Sequence, residues 1–276
     1  MTVLAVEGPD RVAFLQGQLT QEVRDLAPGT SRLAAGLTAQ GKVLYFGRVL
    51  AEPDALLLLV EPDAGASALS HLSRFAAFQK VAVRDASSEK AVASLYGPRG
   101  PEVAADAGVR LPAWGELSAE IVAPAAARRD LEALLAREGS VAIPEPDAEA
   151  LRIEAGRARF GREADPSRLP QEAGLEDAIA PDKGCYVGQE IVARLRTYGR
   201  VNRRLVGFRF QGDPLPPGTV FPDPEKPSVE RGRVTSAAVS ARFGPIGLGL
   251  AFREVPEGAT LAAAGGSATV CALPFA

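Results

Sequence analysis

The chain has 276 residues, a net charge of −3, 46% hydrophobic residues and 24% charged residues, which is ordinary for a globular protein of one large domain or two to three smaller ones. Such a charge gives no global electrostatic reason to bind nucleic acid or an anionic membrane. The longest apolar run, at 55–60, is too short to span a bilayer, and the first residues lack the features of a signal peptide. We therefore expect a cytoplasmic protein with no membrane role.

The first 150 residues alternate strand-like and helix-like segments. Asp10 is placed to cap a helix whose apolar positions continue to Leu26, and a second helix is predicted to end near Phe78. Further segments are strands at 42–50, 55–60, 81–84 and 91–96, a helix at 128–137 and a connector at 144–147. Strands that pair around crossing helices predict an α+β fold of ferredoxin-like units.

Beyond Arg203 the pattern changes to short strands without a convincing helix. Val206, Phe208 and Phe210 alternate with less apolar residues, which is typical of a half-buried strand. Prolines interrupt the chain repeatedly from residue 214 to residue 227. This pattern predicts a small antiparallel β-barrel at the C-terminal end.

Metal and nucleophile chemistry is limited by two cysteines, Cys185 and Cys271, and one histidine, His71. An iron–sulfur cluster normally takes four cysteine ligands, and a structural zinc ion takes four Cys or His. We therefore predict no stable metal site. A catalytic triad would have to use His71, whose helical surroundings favour a structural role, and Cys271 lies in an apolar strand that favours the core.

Cys185 lies in residues 183–190, which read KGCYVGQE. Two glycines flank the cysteine and allow a sharp turn or a close approach to a ligand. Apolar residues at helical spacing follow at 191–195, which places Cys185 just ahead of a helix N-terminus. That position and the cation of Lys183 both favour the thiolate, whereas a buried structural cysteine is the alternative. The residues alone leave both interpretations open.

A basic segment follows the cysteine. It contains no acidic residue between Glu190 and Asp213 and six arginines, namely Arg194, Arg196, Arg200, Arg203, Arg204 and Arg209. Such a cluster is suited to a carboxylate, a phosphate or an RNA backbone. A solvated surface is the simpler interpretation. Few aromatic residues accompany the arginines, so we do not expect direct binding of nucleic acid.

Glu154 lies in an apolar stretch between Ile153 and Ala155. A partly buried carboxylate needs a hydrogen-bonding partner, and a heterocycle rich in N–H groups, such as a pterin, would provide one. A salt bridge to Arg152 or Arg157 is the alternative, and the residues alone favour it.

The segment 183–190 resembles the signature of the YgfZ family, folate-binding proteins that support iron–sulfur enzymes and are related to the glycine-cleavage T-protein, an aminomethyltransferase. The resemblance rests on Lys183, Gly184, Cys185, Tyr186, Gly188, Gln189 and Glu190. It extends over nearly the whole chain through four further segments: FLQGQLT at 14–20, LTAQGKV at 37–43, RIEAG at 152–156 and LPQE at 169–172.

The resemblance implies a T-protein-like ring of α+β domains with a C-terminal antiparallel barrel. We expect a folate-binding region at 1–202, in two subdomains of roughly 1–88 with 151–202 and 89–150, and the barrel at 203–276. The resemblance also implies that Glu154 contacts the pterin of tetrahydrofolate or another folate derivative. Arg194 and Arg196 then become candidates for the folate tail.

One departure concerns the T-protein reaction. In the T-protein an aspartate pair follows the glycine that matches Gly41, and one of the two acids is needed for aminomethyl transfer. Here Leu44 and Tyr45 stand in those places. An aliphatic side chain and a phenol cannot supply the carboxylate, so we do not expect a classical aminomethyltransferase.

The function that follows is an accessory protein for iron–sulfur cluster assembly or maintenance in client enzymes, including tRNA-modifying ones. Its expected partners are those client enzymes or assembly proteins, together with folate. Cys185 is the expected reactive thiol, as an acceptor, a mixed-disulfide partner or a transient ligand. A folate-dependent one-carbon transferase and an RNA-binding module that uses Arg194 to Arg204 are the alternatives.

Overall fold

The computed structural model describes residues 1–106, 109–112 and 118–276. The helices are α1 (Arg11–Gln18), α2 (Pro62–Ala76), α3 (Gly100–Asp106), α4 (Arg128–Arg137), α5 (Glu145–Glu154) and α6 (Gln189–Tyr198). The strands are β1 (Thr2–Glu7), β2 (Ser31–Leu37), β3 (Val43–Ala51), β4 (Ala55–Val60), β5 (Ala82–Asp85), β6 (Lys90–Tyr96), β7 (Val109–Pro112), β8 (Ser118–Pro124), β9 (Arg203–Gln211), β10 (Val220–Pro222), β11 (Glu230–Ser240), β12 (Gly244–Phe252), β13 (Thr260–Ala263) and β14 (Gly266–Cys271).

The chain forms two compact units, each assembled from separate stretches of sequence. The first unit contains Met1–Ala142, Asp165–Ser167 and Glu176–Ala193. The second unit contains Ile143–Ala164, Arg168–Leu175 and Arg194–Ala276. The stretch around Cys185 therefore belongs to the first unit, and Glu154 belongs to the second.

The first unit is built on an antiparallel sheet with the strand order β2-β3-β4-β1-β5. Every residue of β4 is buried, and burying each of its leucine side chains contributes about 1.5–3 kcal/mol. Helix α2 turns its small residues toward the sheet, and a Cβ on Gly65 would lie 2.6 Å from Thr2 Oγ1. A second sheet, β6-β8-β7, packs Ile121 against Leu131 of α4.

The second unit is built on a six-stranded, barrel-like antiparallel sheet with the order β10-β11-β12-β9-β14-β13. Phe208 and Phe210 of β9 fill its interior, where glycines of β12 leave room for their rings. Added Cβ atoms on Gly249 and Gly247 would lie 2.4 and 2.8 Å from those two rings. Helix α5 packs outside this core through Ile153. The predicted α+β class with a C-terminal antiparallel barrel is confirmed.

Two local predictions are wrong. Helix α1 ends at Gln18, well before Leu26, and the Asp10 carboxylate accepts the Lys80 N–H at 2.9 Å without capping the helix. The predicted connector at 144–147 instead forms the first turn of α5. Pro146 is tolerated there because the first N–H groups of a helix have no partner within the helix. The acidic Glu145 and Asp147 beside the proline are stabilised by the positive end of the helix dipole.

No helix in the part of the chain that the structure describes is long and apolar enough to cross a membrane. Within the same described ranges, no group of three or more His, Cys, Asp or Glu side chains is arranged to hold a metal ion.

Candidate functional site

The motif residues 183–190 form a loop that leads into α6, which begins at Gln189. Cys185 and Gly184 are exposed, Tyr186 is half-buried and Lys183 is buried. Cys185 lies four positions before the first helical residue, in irregular backbone. The motif thus presents its thiol to solvent and directs its cation into the first unit.

Lys183 is held by backbone oxygens. Its Nζ donates hydrogen bonds to the carbonyls of Gln16 at 2.8 Å, Leu19 at 2.5 Å and Gln21 at 2.8 Å. Burial lowers the pKa of Lys183 to about 8, so the ammonium form predominates at neutral pH. The sequence suggested that the charge of Lys183 would act on Cys185. In the structure this charge is instead hydrogen-bonded to the three carbonyls.

The loop and the residues just before it supply two further donors, at the end of α1 and just beyond it. The Val187 N–H donates to the Gly17 carbonyl at 3.2 Å, and the Ala180 N–H donates to the Thr20 carbonyl at 3.0 Å. The last carbonyls of a helix have no partner within it. Lys183 and Val187 therefore cap the C-terminal end of α1, and Ala180 binds the Thr20 carbonyl just beyond the helix, a role that the sequence pattern did not reveal.

The far end of the loop rests on the turn at 38–41. Gly188 has φ +84°, and a Cβ placed there would lie 2.6 Å from the Thr38 oxygen and 3.2 Å from the Gly41 Cα. Gly41 has φ +74°, and a Cβ there would lie 3.0 Å from Ile191 Cβ. Both glycines are therefore required for conformation and for close approach. They join two of the sequence segments noted above.

The segment at 14–20 is fastened by its polar side chains. Thr20 Oγ1 donates to the Ala178 carbonyl at 2.5 Å and accepts the Ala35 N–H at 2.9 Å. Gln16 Oε1 accepts the Val23 N–H at 3.0 Å, and its Nε2 donates to Glu22 at 3.0 Å. These contacts hold the carbonyls that surround Lys183.

Tyr45 is one of the two residues that, by the resemblance to the T-protein, stand where acids are expected. Its side chain is fully buried, and no described residue is hydrogen-bonded to its hydroxyl. Burial raises the pKa of Tyr45, so the phenol stays neutral. His71 contacts its ring edge-on at 5.7 Å and lies 3.2 Å from the Gln18 side chain, which supports the structural role predicted for the histidine.

In the second unit, Glu154 is the last residue of α5 and is 8% exposed. Ser240 Oγ donates to Glu154 Oε1 at 2.5 Å, and Arg242 Nη1 lies 3.7 Å from Oε2. The Ser240 oxygen also accepts the N–H groups of Arg242 and Phe243 at 3.0 and 2.9 Å. Because those donors take its lone pairs, the Ser240 proton is directed at Glu154.

Arg152, which the sequence offered as a partner for Glu154, pairs with other carboxylates. It binds Glu149 at 2.7 Å and the fully buried Glu163 at 3.1 Å. Glu163 also accepts hydrogen bonds from Thr235 at 2.6 Å and Ser236 at 2.7 Å. Sequence reasoning missed Glu163, and its polar neighbours in the sequence gave no signal that it would be buried.

The arginines of the basic segment fall into two groups. Arg194, Arg196 and Arg200 are exposed on or just after α6. Those that follow are engaged within the second unit: Arg203 lies 4.6 Å from the Phe252 ring, Arg204 donates to the Val255 carbonyl at 3.0 Å, and Arg209 donates to the Ala276 oxygen at 3.0 Å. Arg194, Arg196 and Arg200 are thus the exposed members of the segment, and the later three make contacts within the second unit.

The chemical capacities of the two cysteines differ. Cys185 is exposed, whereas Cys271 is half-buried in β14, where burial raises the pKa of its thiol. A solvent-exposed thiol can contact a partner protein, bind a metal ion or exchange with a disulfide. The predicted roles of Cys185, Glu154, Arg194 and Arg196 stay predictions.

Comparisons with known proteins relate the chain to several curated relatives, although no protein-family model matches it. It is 30% identical to the human mitochondrial iron–sulfur cluster assembly factor IBA57, over 80% of the chain and 67% of that protein. It is 28% identical to the tRNA-modifying protein YgfZ of Edwardsiella ictaluri, over 76% of the chain and 69% of that protein. Across its first curated relatives, the chain spans 57% to 71% of their length.

The structure resembles the glycine cleavage system aminomethyltransferase T of Bartonella henselae with a TM-score of 0.86, over 100% of the chain and 84% of that protein. The identity is 24%, so this likeness concerns the fold, and it confirms the predicted T-protein-like architecture. The fold and the sequence identity over most of both chains agree with the resemblance carried by residues 183–190. The chain belongs to the family of the YgfZ and IBA57 proteins.

Proposed function

We propose that this chain is a folate-binding accessory protein of the cytoplasm that supports iron–sulfur cluster assembly or maintenance in client enzymes, including tRNA-modifying ones. The functions that its relatives are named for, cluster assembly for IBA57 and tRNA modification for YgfZ, support this. The observation that carries the proposal is the exposed Cys185 in a loop that is anchored on both sides. Two cysteines cannot hold a four-thiolate cluster, so the chain would act on clusters held by other proteins.

Cys185 would work as an accessible thiol. Thiolates ligate metal ions and exchange with disulfides, and an exposed thiol persists where the compartment keeps thiols reduced. The partners would be the client enzymes or their assembly proteins.

The folate part of the proposal rests on Glu154. A pterin presents neighbouring N–H donors, and a carboxylate offers about four acceptor positions. Ser240 takes one of these positions, and the 3.7 Å separation from Arg242 exceeds a hydrogen bond. Glu154 Oε2 thus retains acceptor capacity, so the carboxylate fits this group. A bound tetrahydrofolate would supply a one-carbon carrier or act as an effector.

The exposed Arg194 and Arg196 are the candidates for the glutamate tail of the folate. Guanidinium groups bind carboxylates in pairs of parallel hydrogen bonds. Their position at the surface suits the charged end of a ligand, which remains partly hydrated.

An aminomethyltransferase is the enzyme alternative, and the shared fold favours it. Against it stand Leu44 and the buried, neutral Tyr45, neither of which can supply a carboxylate. Turnover of an aminomethylated carrier protein with tetrahydrofolate would support the alternative, and its absence would support the accessory role. An RNA-binding role has less support, since Arg203, Arg204 and Arg209 are engaged within the second unit.

The central experiment uses a strain that lacks its own protein of this family. We expect the wild-type chain and the Cys271→Ser variant to restore the activities of several iron–sulfur enzymes, and Cys185→Ser to leave them at the level of the deletion strain. Full restoration by Cys185→Ser would show that the thiol is not used.

Folate binding is measured separately, by calorimetry with tetrahydrofolate under anaerobic conditions. We expect Glu154→Gln to weaken binding by about tenfold or more, because a hydrogen bond to a charged group is worth about 1.5–3 kcal/mol. Glu257→Gln, at a carboxylate that is 57% exposed, is the matched control. Equal affinity for the two variants would show that the pterin does not contact Glu154.

A further inference from the structure

Three carbonyl groups, those of Gln16, Leu19 and Gln21, surround the Lys183 ammonium, and we refer to them as the carbonyl cage. The distances from Nζ to the three oxygens are 2.8, 2.5 and 2.8 Å. An ammonium group carries three N–H donors, so each donor has one acceptor. Lys183 is 7% exposed, and its donors are matched to the cage in number and distance.

The cage lies where a cation is most favourable. Gln16 is in the last turn of α1 and Leu19 is its C-cap residue, and the C-terminal end of a helix carries unpaired carbonyls and a partial negative charge. Residues 19 to 21 continue the row of carbonyls beyond the helix. Without a cation these oxygens, two of them in buried contacts and that of Gln21 in a partly buried one, would lose the Lys183 donors, which costs free energy for each of them.

The cage also fixes the backbone on one side of Cys185. On the other side, the Val187 N–H is bonded to Gly17 and Gly188 rests against Gly41. Tyr186 lies between Lys183 and Val187 in the sequence, and the centroid of its ring is 5.1 Å from Lys183 Nζ. Cys185 itself is exposed. The contacts of its neighbours therefore hold the thiol at a solvent-facing position.

We propose that Lys183 is the positioning residue for Cys185, and that its ammonium acts as an internal cation that ties the cysteine loop to the end of α1. It follows that the carbonyl cage is a binding site for a primary ammonium ion, which the chain fills with its own side chain. This inference rests on the proposed function in one respect, namely that Cys185 is the thiol the protein uses.

The test is chemical rescue. Lys183→Ala removes the side chain beyond Cβ, and n-propylammonium supplies those missing atoms. Two measurements report on the loop: hydrogen exchange of the Val187 and Ala180 amides, and the mobility of a spin label attached to Cys185 in a Cys271→Ala background. We expect exchange about tenfold faster in the variant and a freely moving label. Saturating n-propylammonium should restore both toward the wild-type values.

Three controls make the result specific. Tetramethylammonium has the same charge but no N–H donor, so it should not rescue the variant. Lys183→Arg places a planar guanidinium in a cage that suits a compact ammonium, so it should resemble Lys183→Ala. Lys80→Ala removes an exposed lysine of the first unit and should behave as the wild type.

Unchanged exchange and label mobility in Lys183→Ala would overturn the proposal, as would equal rescue by tetramethylammonium. If the variant is too unstable for these two measurements at room temperature, they are replaced by thermal unfolding from a lower temperature. There n-propylammonium should raise the midpoint of the variant but not that of the wild type, and failure to do so would also overturn the proposal. The cysteine assay in the deletion strain is independent: if Cys185→Ser restores the client enzymes, the proposed function fails while the rescue result stands.

Discussion

Gly41 and Gly188 lie against each other, although they are far apart in the sequence. A Cβ added to Gly188 would lie 3.2 Å from the Gly41 Cα and 2.6 Å from the Thr38 carbonyl oxygen. Both residues have positive φ. The contact joins the turn at 38–41 to the end of the cysteine loop. It shows why glycine is needed at both positions, a requirement that neither segment reveals by itself.

Gly188→Ala should destabilise the first unit by about 1–3 kcal/mol, because alanine is strained at φ +84° and its Cβ would meet the Thr38 oxygen. Urea unfolding measures the change. Gly184→Ala is the control, since Gly184 has no atom within 4 Å of an added Cβ. Equal stability of the two variants would contradict the role given to the contact.

Glu163→Ala should lower the free energy of unfolding by about 3–5 kcal/mol, since it leaves the buried Arg152 without one of its two carboxylate partners. Ser236 would lose this acceptor as well, and Thr235 would keep only the Leu248 carbonyl, at 3.1 Å. Chemical denaturation followed by circular dichroism gives the value. Glu145→Ala, at a carboxylate that is 74% exposed, should change it by well under about 1 kcal/mol.

Ser240→Ala should weaken tetrahydrofolate binding by about tenfold even though Ser240 need not touch the ligand, because it removes the donor that orients Glu154. Calorimetry measures the affinity. Ser267→Ala removes an exposed hydroxyl that is bonded to Gln211 and should leave the affinity unchanged. An unaffected affinity in Ser240→Ala would show that Glu154 does not depend on this hydrogen bond.

The stability of the first unit should fall in acid partly through Glu22. Hydrogen bonding to Arg24, chiefly, lowers the pKa of Glu22 from 4.5 to about 2. A carboxylate with a lowered pKa stabilises the folded state above its unfolded-state pKa, and this contribution is lost as the pH falls from 4.5 toward 2.

Since the Glu22 side chain is 21% exposed and that of Arg24 is 62% exposed, we expect Glu22→Gln to cost about 0.5–1 kcal/mol at pH 7. The difference from the wild type should shrink as the pH falls from 4.5 and disappear below a pH of about 2. Thermal unfolding of the two proteins across this pH range measures it, and a difference that does not change with pH would count against the ion pair.

Much of the fold was predictable because local patterns agree with the final structure. The alternation of Val206, Phe208 and Phe210 defined β9, the helical spacing after Gly188 defined α6, and the apolar run at 55–60 defined β4. Each prediction depended only on periodicity, which the burial of one face enforces. The two errors, at Leu26 and at 144–147, concern helix ends. The position of a helix end depends on which groups bind its terminal N–H and C=O groups, and these groups need not be close in the sequence.

The features of the candidate site also fall into two kinds, those that the sequence predicts and those that only the tertiary structure shows. The sequence by itself determined that Cys185 lies in a distinctive motif and that two cysteines cannot hold a four-thiolate cluster, because composition and residue identity suffice for these conclusions. The resemblance to the T-protein added that Leu44 and Tyr45 stand where that protein is expected to have acids. Only the tertiary structure decided that Lys183 faces the end of α1 and that Glu154 is bonded to Ser240. Hydrogen bonds between residues far apart in the sequence depend on the path of the backbone between them, and no local pattern encodes that path.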